Sequence, residues 1–158
     1  MKEQVQIKKF QFSLDRIKQY RMQVEEMEKN DLAALRAELV QLREEEKDIL
    51  ASIAAKTDEL RKIFKKGAFP NEINLANRFL TSRKQDLEMK RQEIADKNRE
   101  IEKKLEEVLE ATKEVKKLEK LEEHQLEEYR KLETKENENF LEEFFGGGKH
   151  GESSVSAG

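Results

Sequence analysis

The side chains that most often perform catalysis or bind metals are scarce in this sequence. It contains two histidines, His124 and His150, and no cysteine. His124 stands among the charges of a predicted helix and His150 in a glycine-rich segment, and neither has a second histidine or a cysteine at ligand spacing. We therefore predict no metal site and no cofactor.

Glutamates are abundant, but they lack the setting that acid–base catalysis requires. Catalytic carboxylate pairs need a buried cleft, whereas glutamates here alternate with lysines at four-residue spacing, which is typical of a solvated helix surface. The segment FGGGKHG, residues 145–151, lacks the preceding strand and the GK[ST] sequence of a phosphate loop. The sequence thus predicts no catalytic residue, no small-molecule substrate and no enzymatic activity.

The composition is typical of long helices and gives little support for a membrane-spanning segment or a nucleic-acid-binding surface. Charged residues make up 42% and hydrophobic residues 35%, against about 25% and 45–50% in typical soluble domains. The 32 basic and 35 acidic residues alternate in sign and leave a net charge of −3, so we expect no nucleic-acid surface. A polar N-terminus, no long apolar run and no cysteine predict a cytoplasmic protein.

The apolar spacing predicts two helices joined by a single turn. Apolar residues recur at intervals of three and four over residues 13–66 and predict the first helix. Near Asp31 the pattern slips, because positions 31, 35 and 39 give two consecutive intervals of four. The sequence KKGAFP at residues 65–70 then presents two cations, a glycine and a proline, in the order that terminates a helix. We therefore place the hairpin turn at residues 67–71.

A second helix is predicted over residues 72–145. One apolar line recurs at every seventh position, through Ile73, Leu80, Leu87, Ile94, Ile101, Val108 and Val115. A second apolar line is incomplete, because Arg83, Lys90 and Asn98 interrupt it. The apolar contact between the two helices, which we call the seam, is therefore narrow, as in a two-helix coiled coil. Residues 1–12 form a predicted N-terminal extension and residues 146–158 a flexible glycine- and serine-rich tail.

The predicted fold is all-α: a long antiparallel two-helix coiled-coil hairpin with a longer second helix and a flexible C-terminal tail. At a rise of 1.5 Å per residue the two helices are about 80 Å and about 110 Å long. The second helix therefore outruns the first beyond roughly residues 120–125. Such a hairpin is expected to be monomeric when free.

An aromatic cluster lies on the predicted overhang. The sequence NFLEEFF places Phe140, Leu141, Phe144 and Phe145 where no partner within the chain is expected, and an exposed cluster of this kind indicates an interface. In the alternative interpretation, residues 1–12 fold alongside the cluster and cover it with their own aromatic side chains.

Phe79 is a second apolar feature outside the seam. It follows the turn closely and projects beside Leu80, which belongs to the seam. It is either part of a contact surface or packs against Phe64 and Phe69 near the turn.

Three segments resemble the FliJ family of flagellar export proteins. They are KKFQFSLDRIKQYRMQVEE, with its aromatic-x-aromatic-x-Leu opening, NLANRFLTSRKQDLEMKRQEIADKN after the turn, and EVKKLEKLEEHQLEEYRKLETKENENFLEEFF at the end. The resemblance runs from about Lys9 to Phe145. The order of the segments, the position of the turn and the total length make it more specific than any one segment.

The resemblance implies a stalk like that of the gamma subunit in rotary ATP synthases. The implied partner is the hexameric flagellar export ATPase, FliI, in whose central hole the stalk promotes ring assembly and ATP turnover. The family also couples this ATPase to the export gate protein FlhA and escorts export chaperones. The expected location is cytoplasmic, peripherally at the inner membrane through the export apparatus.

The resemblance also implies two sets of contact residues. The contact with the ATPase ring is expected at Leu14, Ile17, Tyr20, Tyr129, Leu132, Phe140, Leu141 and Phe144. The contact with the gate is expected at Phe79, which matches the leading aromatic residue of the family, and at Leu80. Arg83, Asp86 and Lys90 then stand where a continuous apolar strip is expected, so the strip is shorter here.

Two other functions fit the same composition. A structural coiled-coil scaffold or a prefoldin-like holdase explains the periodicity, but it requires neither unequal helices nor an aromatic end. An injectisome stalk from the related virulence secretion systems shares the stalk mechanism.

Overall fold

The computed structural model describes the backbone of residues 9–157 and the side chains of residues 9–146. This part of the chain contains helix α1, Asp15–Lys66, helix α2, Pro70–Ala157, and no strand. The helices have 52 and 88 residues and pack against each other. The predicted all-α hairpin with a longer second helix is confirmed.

The turn is shorter than the predicted 67–71 and occupies residues 67–69. Gly67 has a φ of 86°, a left-handed conformation that glycine adopts without strain. Helix α2 begins at Pro70, because proline lacks the N–H that a first helical residue leaves unbonded and has a φ suited to that position. The carbonyl of Phe69 accepts hydrogen bonds from the N–H groups of Glu72 and Ile73 at 3.0 and 3.3 Å.

The chain divides into two units, and the helices run antiparallel in each. The unit formed by residues 24–111 contains the turn, and there Glu45 of α1 binds Lys90 of α2. The other unit combines residues 9–23 with the chain from residue 112 onward. In it the Lys18 ammonium lies 2.5 Å from Glu122, and this hydrogen-bonded ion pair raises the pKa of Lys18.

The predicted seven-residue line of α2 is confirmed as its inward face. All of its members are buried or half-buried, with Val108 and Val115 only 8% and 5% exposed. The line continues through Glu122 and Tyr129, which are half-buried as well. The charged residue Glu122 therefore occupies one position of the inward line, between the apolar Val115 and the aromatic Tyr129.

The predicted slip near Asp31 is wrong. The inward residues of α1 keep alternating intervals of four and three through Glu28, Leu32, Leu35, Leu39 and Leu42. Leu32 is 6% exposed, whereas Asp31 is exposed. Apolar spacing does not identify the half-buried Glu28 as an inward residue. Its carboxylate is held at the seam by an ion pair with Lys104 at 3.0 Å.

Three lysines at seven-residue spacing occupy the second inward line of α2. Lys90 and Lys97 each lie 2.6 Å from a carboxylate of α1, Glu45 and Glu38 respectively. Both lysine side chains are only 18% exposed. The predicted line is confirmed at Lys90, but it continues through Lys97 and Lys104 and not through Asn98. The long aliphatic stems of these lysines cover the seam, and their charged ends reach the opposite helix.

These ion pairs shift the pKa values of the three lysines and of Glu45 toward the charged forms. Hydrogen bonds to Glu45 and Glu38 raise the pKa values of Lys90 and Lys97, and the bond from Lys90 lowers the pKa of Glu45. A hydrogen bond to Glu107, followed by one to Glu28, raises the pKa of Lys104. The three lysines and Glu45 are therefore ionised at neutral pH.

The two ends of the chain differ from the predicted boundaries. Phe12, assigned to the N-terminal extension, is only 7% exposed and belongs to the core. The N–H of Asp15, the first residue of α1, donates to the Phe12 carbonyl at 3.2 Å. Over the predicted tail, residues 146–158, the backbone is helical as far as Ala157, and flexibility of this segment stays a prediction.

Candidate interaction surfaces

Four large apolar side chains near the end of the described side chains form one exposed surface. We call Phe140, Leu141, Phe144 and Phe145 the aromatic end; their exposed fractions are 49%, 50%, 70% and 59%. The ring centroids of Phe140 and Phe144 lie 6.2 Å apart in a stacked arrangement, because residues four apart share one face of a helix. The Phe144 and Phe145 rings meet edge to face at 5.2 Å. The aromatic end is thus a contiguous apolar surface of the kind that marks interfaces.

The segment before α1 covers Tyr129 but leaves the aromatic end exposed. The ring of Phe10 lies 5.6 Å from that of Tyr129, and Ser13 donates a hydrogen bond to Gln125 at 3.3 Å. Burial, with smaller effects of Glu133 and Glu136, raises the pKa of Tyr129. The alternative interpretation, in which residues 1–12 cover the aromatic end, is therefore wrong for residues 9–12, because Phe10 contacts Tyr129 instead. Residues 1–8 lie outside the described part.

The remaining residues expected at the ATPase ring fall into two groups. Ile17, Tyr20 and Leu132 are 48%, 60% and 61% exposed, although Ile17 and Tyr20 fit the apolar spacing of α1. Leu14 is half-buried, like Tyr129. Six of the eight expected residues are therefore exposed on the surface, and their contact with a ring stays a prediction.

Phe79 lies in an open groove of about 500 Å³ between the two helices near the turn. Its ring is 41% exposed, and the Lys56 ammonium stands 5.2 Å from the ring centroid. Lys56 also pairs with Glu59 at 3.3 Å. The apolar lining comes from Leu60 and Ile63 of α1 and from Leu75 and Ala76 of α2.

The groove contradicts one of the two sequence-based interpretations of Phe79, its packing against Phe64 and Phe69, whereas its place in a contact surface stays a prediction. Phe64 and Phe69 are 58% and 71% exposed and do not line it. Leu80 is half-buried in the seam, and Arg83 forms an ion pair with Asp86 one turn farther on. The wall that α1 contributes was not predicted, although the apolar spacing of α1 and α2 on either side of the turn places Leu60 and Ile63 opposite Leu75 and Ala76.

Metal binding and membrane insertion find no support in the described part of the chain. His124 is exposed and lies 3.3 Å from Glu128, its neighbour one turn along the helix. Among the described side chains, no group of three His, Asp or Glu residues could hold a metal ion, and His150 lies outside them. Neither helix, where described, has a stretch long and apolar enough to cross a membrane.

Comparison with known proteins gives one match. A family described as "Flagellar FliJ protein" matches residues 9–146. Comparisons with curated proteins and with solved structures give no match. The family match includes α1, the turn, the groove around Phe79 and the aromatic end.

Proposed function

Because the chain belongs to the flagellar FliJ protein family and is a component of the flagellar export apparatus, we propose that it is the central stalk of the export ATPase. The unit that carries the aromatic end enters the hexameric FliI-like ring, promotes ring assembly and increases ATP turnover. The unit that contains the turn couples the ring to the FlhA-like export gate. Like its family, the chain also escorts export chaperones.

The exposed aromatic end is the observation that carries this proposal. In a chain with 42% charged residues, four adjacent large apolar side chains are left at least 49% exposed. Aromatic side chains bury a large area on contact and dominate the energetics of interfaces. On one helix they present the same apolar surface to several subunits of a ring in turn, as a stalk requires. The proposed ring contact also includes Ile17, Tyr20 and Leu132, with Leu14 and Tyr129 beside them.

The groove around Phe79 supports the proposed gate contact. Apolar residues from both helices surround a partly exposed aromatic ring there, which is the usual composition of a binding pocket with a few polar groups at its edge. Leu80 supports Phe79 from the seam. The proposed location is the cytoplasmic face of the inner membrane, reached through the export apparatus.

The competing functions explain less of the chain. A scaffold or a prefoldin-like holdase does not account for an aromatic end placed apart from the seam. An injectisome stalk uses the same mechanism, and membership of the flagellar family favours the flagellar system.

ATP turnover by the cognate export ATPase tests the stalk role. We expect a clear stimulation when this protein is added in stoichiometric amounts, because the stalk favours the assembled ring. Co-sedimentation with the ATPase provides an independent measurement. No stimulation and no co-sedimentation would reject the stalk role and favour a scaffold.

Replacing Phe79 with alanine tests the gate contact. We expect about tenfold weaker binding to the cytoplasmic part of the gate protein, because truncating an aromatic anchor at an interface costs roughly 1–2 kcal/mol or more. Met89→Ala is the matched control, since Met89 is 65% exposed on the same helix and lies outside the groove. Isothermal titration calorimetry measures the affinity of both variants for the cytoplasmic part of the gate protein. Normal binding by Phe79→Ala would contradict the assignment of Phe79 to the gate contact.

A further inference from the structure

Basic and aromatic side chains gather at the turn between the two helices. They belong to the end of α1 and to the turn itself, and we call them the basic tip: Arg61, Lys62, Phe64, Lys65, Lys66 and Phe69. All six are exposed. Four cations and two large aromatic rings therefore face solvent within a short segment of the chain.

The basic tip is charged oppositely to the rest of the chain. Residues 60–80 contain five basic residues and one acidic residue, whereas the remaining chain contains 27 basic and 34 acidic residues. The ammonium of Lys62 lies 3.9 Å from the carboxylate of Asp58, and among the described side chains the other three cations of the basic tip form no ion pair. These cations are therefore available to an external anionic partner.

Helix termination explains only part of this composition. Lys65 and Lys66 stand in the last turn of α1, where cations interact favourably with the helix dipole. That effect requires neither Arg61, which lies a full turn earlier, nor exposed aromatic rings beside the cations. Phe64 and Phe69 are 58% and 71% exposed, and no other large hydrophobic side chain in the described part is more exposed than Phe69. The fold of the helices alone therefore does not explain why these two rings face water.

A lipid surface suits the basic tip better than a protein surface does. Two helices, each about 10 Å in diameter, end at the turn and present roughly 200 Å² in projection. A stable protein contact buries about 800 Å² on each partner, whereas lipid headgroups move to surround a small projection without a preformed pocket. Cations for anionic headgroups, together with phenylalanine rings for the boundary with the acyl chains, are typical of segments that bind membrane surfaces.

We propose that the basic tip binds the surface of an anionic lipid bilayer, with Phe64 and Phe69 among the lipid headgroups. Each lysine or arginine near such a surface strengthens binding by about fivefold. The attraction decays within a Debye length of about 8 Å at physiological ionic strength, so cations far from the turn contribute little. The contact is confined to the bilayer surface, since neither helix, where described, could cross a membrane. It goes beyond the proposed stalk role, because it requires neither the ATPase nor the gate protein.

Vesicle binding by the full chain tests this inference. We expect the chain to sediment with mixed vesicles of equal parts phosphatidylglycerol and phosphatidylcholine. Binding to vesicles of phosphatidylcholine alone should be at least about tenfold weaker, because these lipids carry no net charge. Raising the salt concentration should likewise weaken binding to the mixed vesicles.

Two double variants of α1 assign the binding to the basic tip. Arg61→Gln combined with Lys65→Gln should weaken binding to the mixed vesicles by about tenfold or more, because two cations are lost from the contact. Arg43→Gln combined with Lys47→Gln is the matched control and is expected to bind normally. Arg43 and Lys47 are also exposed and one turn apart on α1, so both variants change the net charge equally. Circular dichroism checks that both remain helical.

A fluorescent probe tests the position of the rings. The chain contains no tryptophan, so Phe69→Trp supplies a single indole at the turn. We expect its emission to shift to shorter wavelength on the mixed vesicles and to be quenched by brominated lipid, because the indole leaves water for the lipid interface. Leu109→Trp, at a position of α2 that is 55% exposed and lies outside the basic tip, is expected to show neither effect.

Three results would overturn the inference. The first is no sedimentation of the unmodified chain with the mixed vesicles; binding to heparin or polyglutamate instead would assign the basic tip to an acidic macromolecule. The second is equal weakening by the two double variants, because binding would then reflect net charge alone. The third is unshifted emission from vesicle-bound Phe69→Trp, because the ring would then lie outside the headgroups. Since the vesicle experiments contain neither the ATPase nor the gate protein, none of these results would reject the stalk role.

Discussion

Replacing Phe140 and Phe144 together with serine is expected to weaken binding to the export ATPase by at least about tenfold and to abolish its stimulation. The two stacked rings are 49% and 70% exposed and have no part in the described core. Truncating an aromatic residue at the centre of an interface costs roughly 1–2 kcal/mol or more, and each 1.4 kcal/mol is tenfold in affinity. ATP turnover and co-sedimentation, measured over a range of stalk concentrations, give the affinity and the maximum stimulation.

A matched variant separates loss of the interface from loss of the fold. Met89→Ser combined with Leu109→Ser removes two side chains that are 65% and 55% exposed on the same helix, away from the aromatic end. Leucine and methionine favour a helix more than phenylalanine does, so circular dichroism and thermal melting are expected to show at least as large a loss of stability for this control as for the Phe140→Ser and Phe144→Ser double variant. Unchanged affinity of the Phe140→Ser and Phe144→Ser double variant for the ATPase would contradict the proposed ring contact.

Ile49→Ala is expected to lower the free energy of unfolding by about 2–4 kcal/mol. Ile49 is 7% exposed, and shortening a buried aliphatic side chain removes its transfer free energy and leaves a cavity. For a chain of this size the loss corresponds to a decrease in melting temperature of roughly 5–15 °C. Thermal unfolding followed by circular dichroism at 222 nm, the helical signal, measures it.

The neighbouring residue provides the control for this substitution. Leu50 is 41% exposed, and Leu50→Ala removes as many carbon atoms from the same turn of α1 without opening an internal cavity. We expect its effect to be below about 1 kcal/mol, as for most surface substitutions. Equal shifts for Ile49→Ala and Leu50→Ala would mean that the seam does not stabilise the unit formed by residues 24–111.

Sequence reasoning succeeded where one type of interaction determined the structure. The seven-residue line of α2 was predictable because apolar side chains at that spacing share one face and leave water together. The turn was predictable because Gly67 and Pro70 restrict the backbone locally. The aromatic end was predictable as exposed, because it follows the length that α1 covers.

The errors arose where charged side chains occupy inward positions. Glu28 and Lys97 contribute to the seam, but an apolar pattern treats them as surface residues, and it gives no partner for Lys90, which it places on the second line. Their placement depends on a partner on the other helix, dozens of residues away along the chain, so no local sequence window contains the reason for it. The assignment of Phe12 to an extension failed similarly, since its burial depends on contacts outside its own segment.

The sequence by itself determined that this protein is an all-α hairpin, where it turns, and which family it resembles, because periodicity, backbone restriction and segment order are properties of the chain alone. Only the tertiary structure decided which lysines face the seam, that Phe10 covers Tyr129, and that Leu60 and Ile63 of α1 form one wall of the groove around Phe79. These features depend on which residues of two distant segments lie opposite each other. That pairing is set by the summed packing and ion pairing of both helices, and no single segment specifies it.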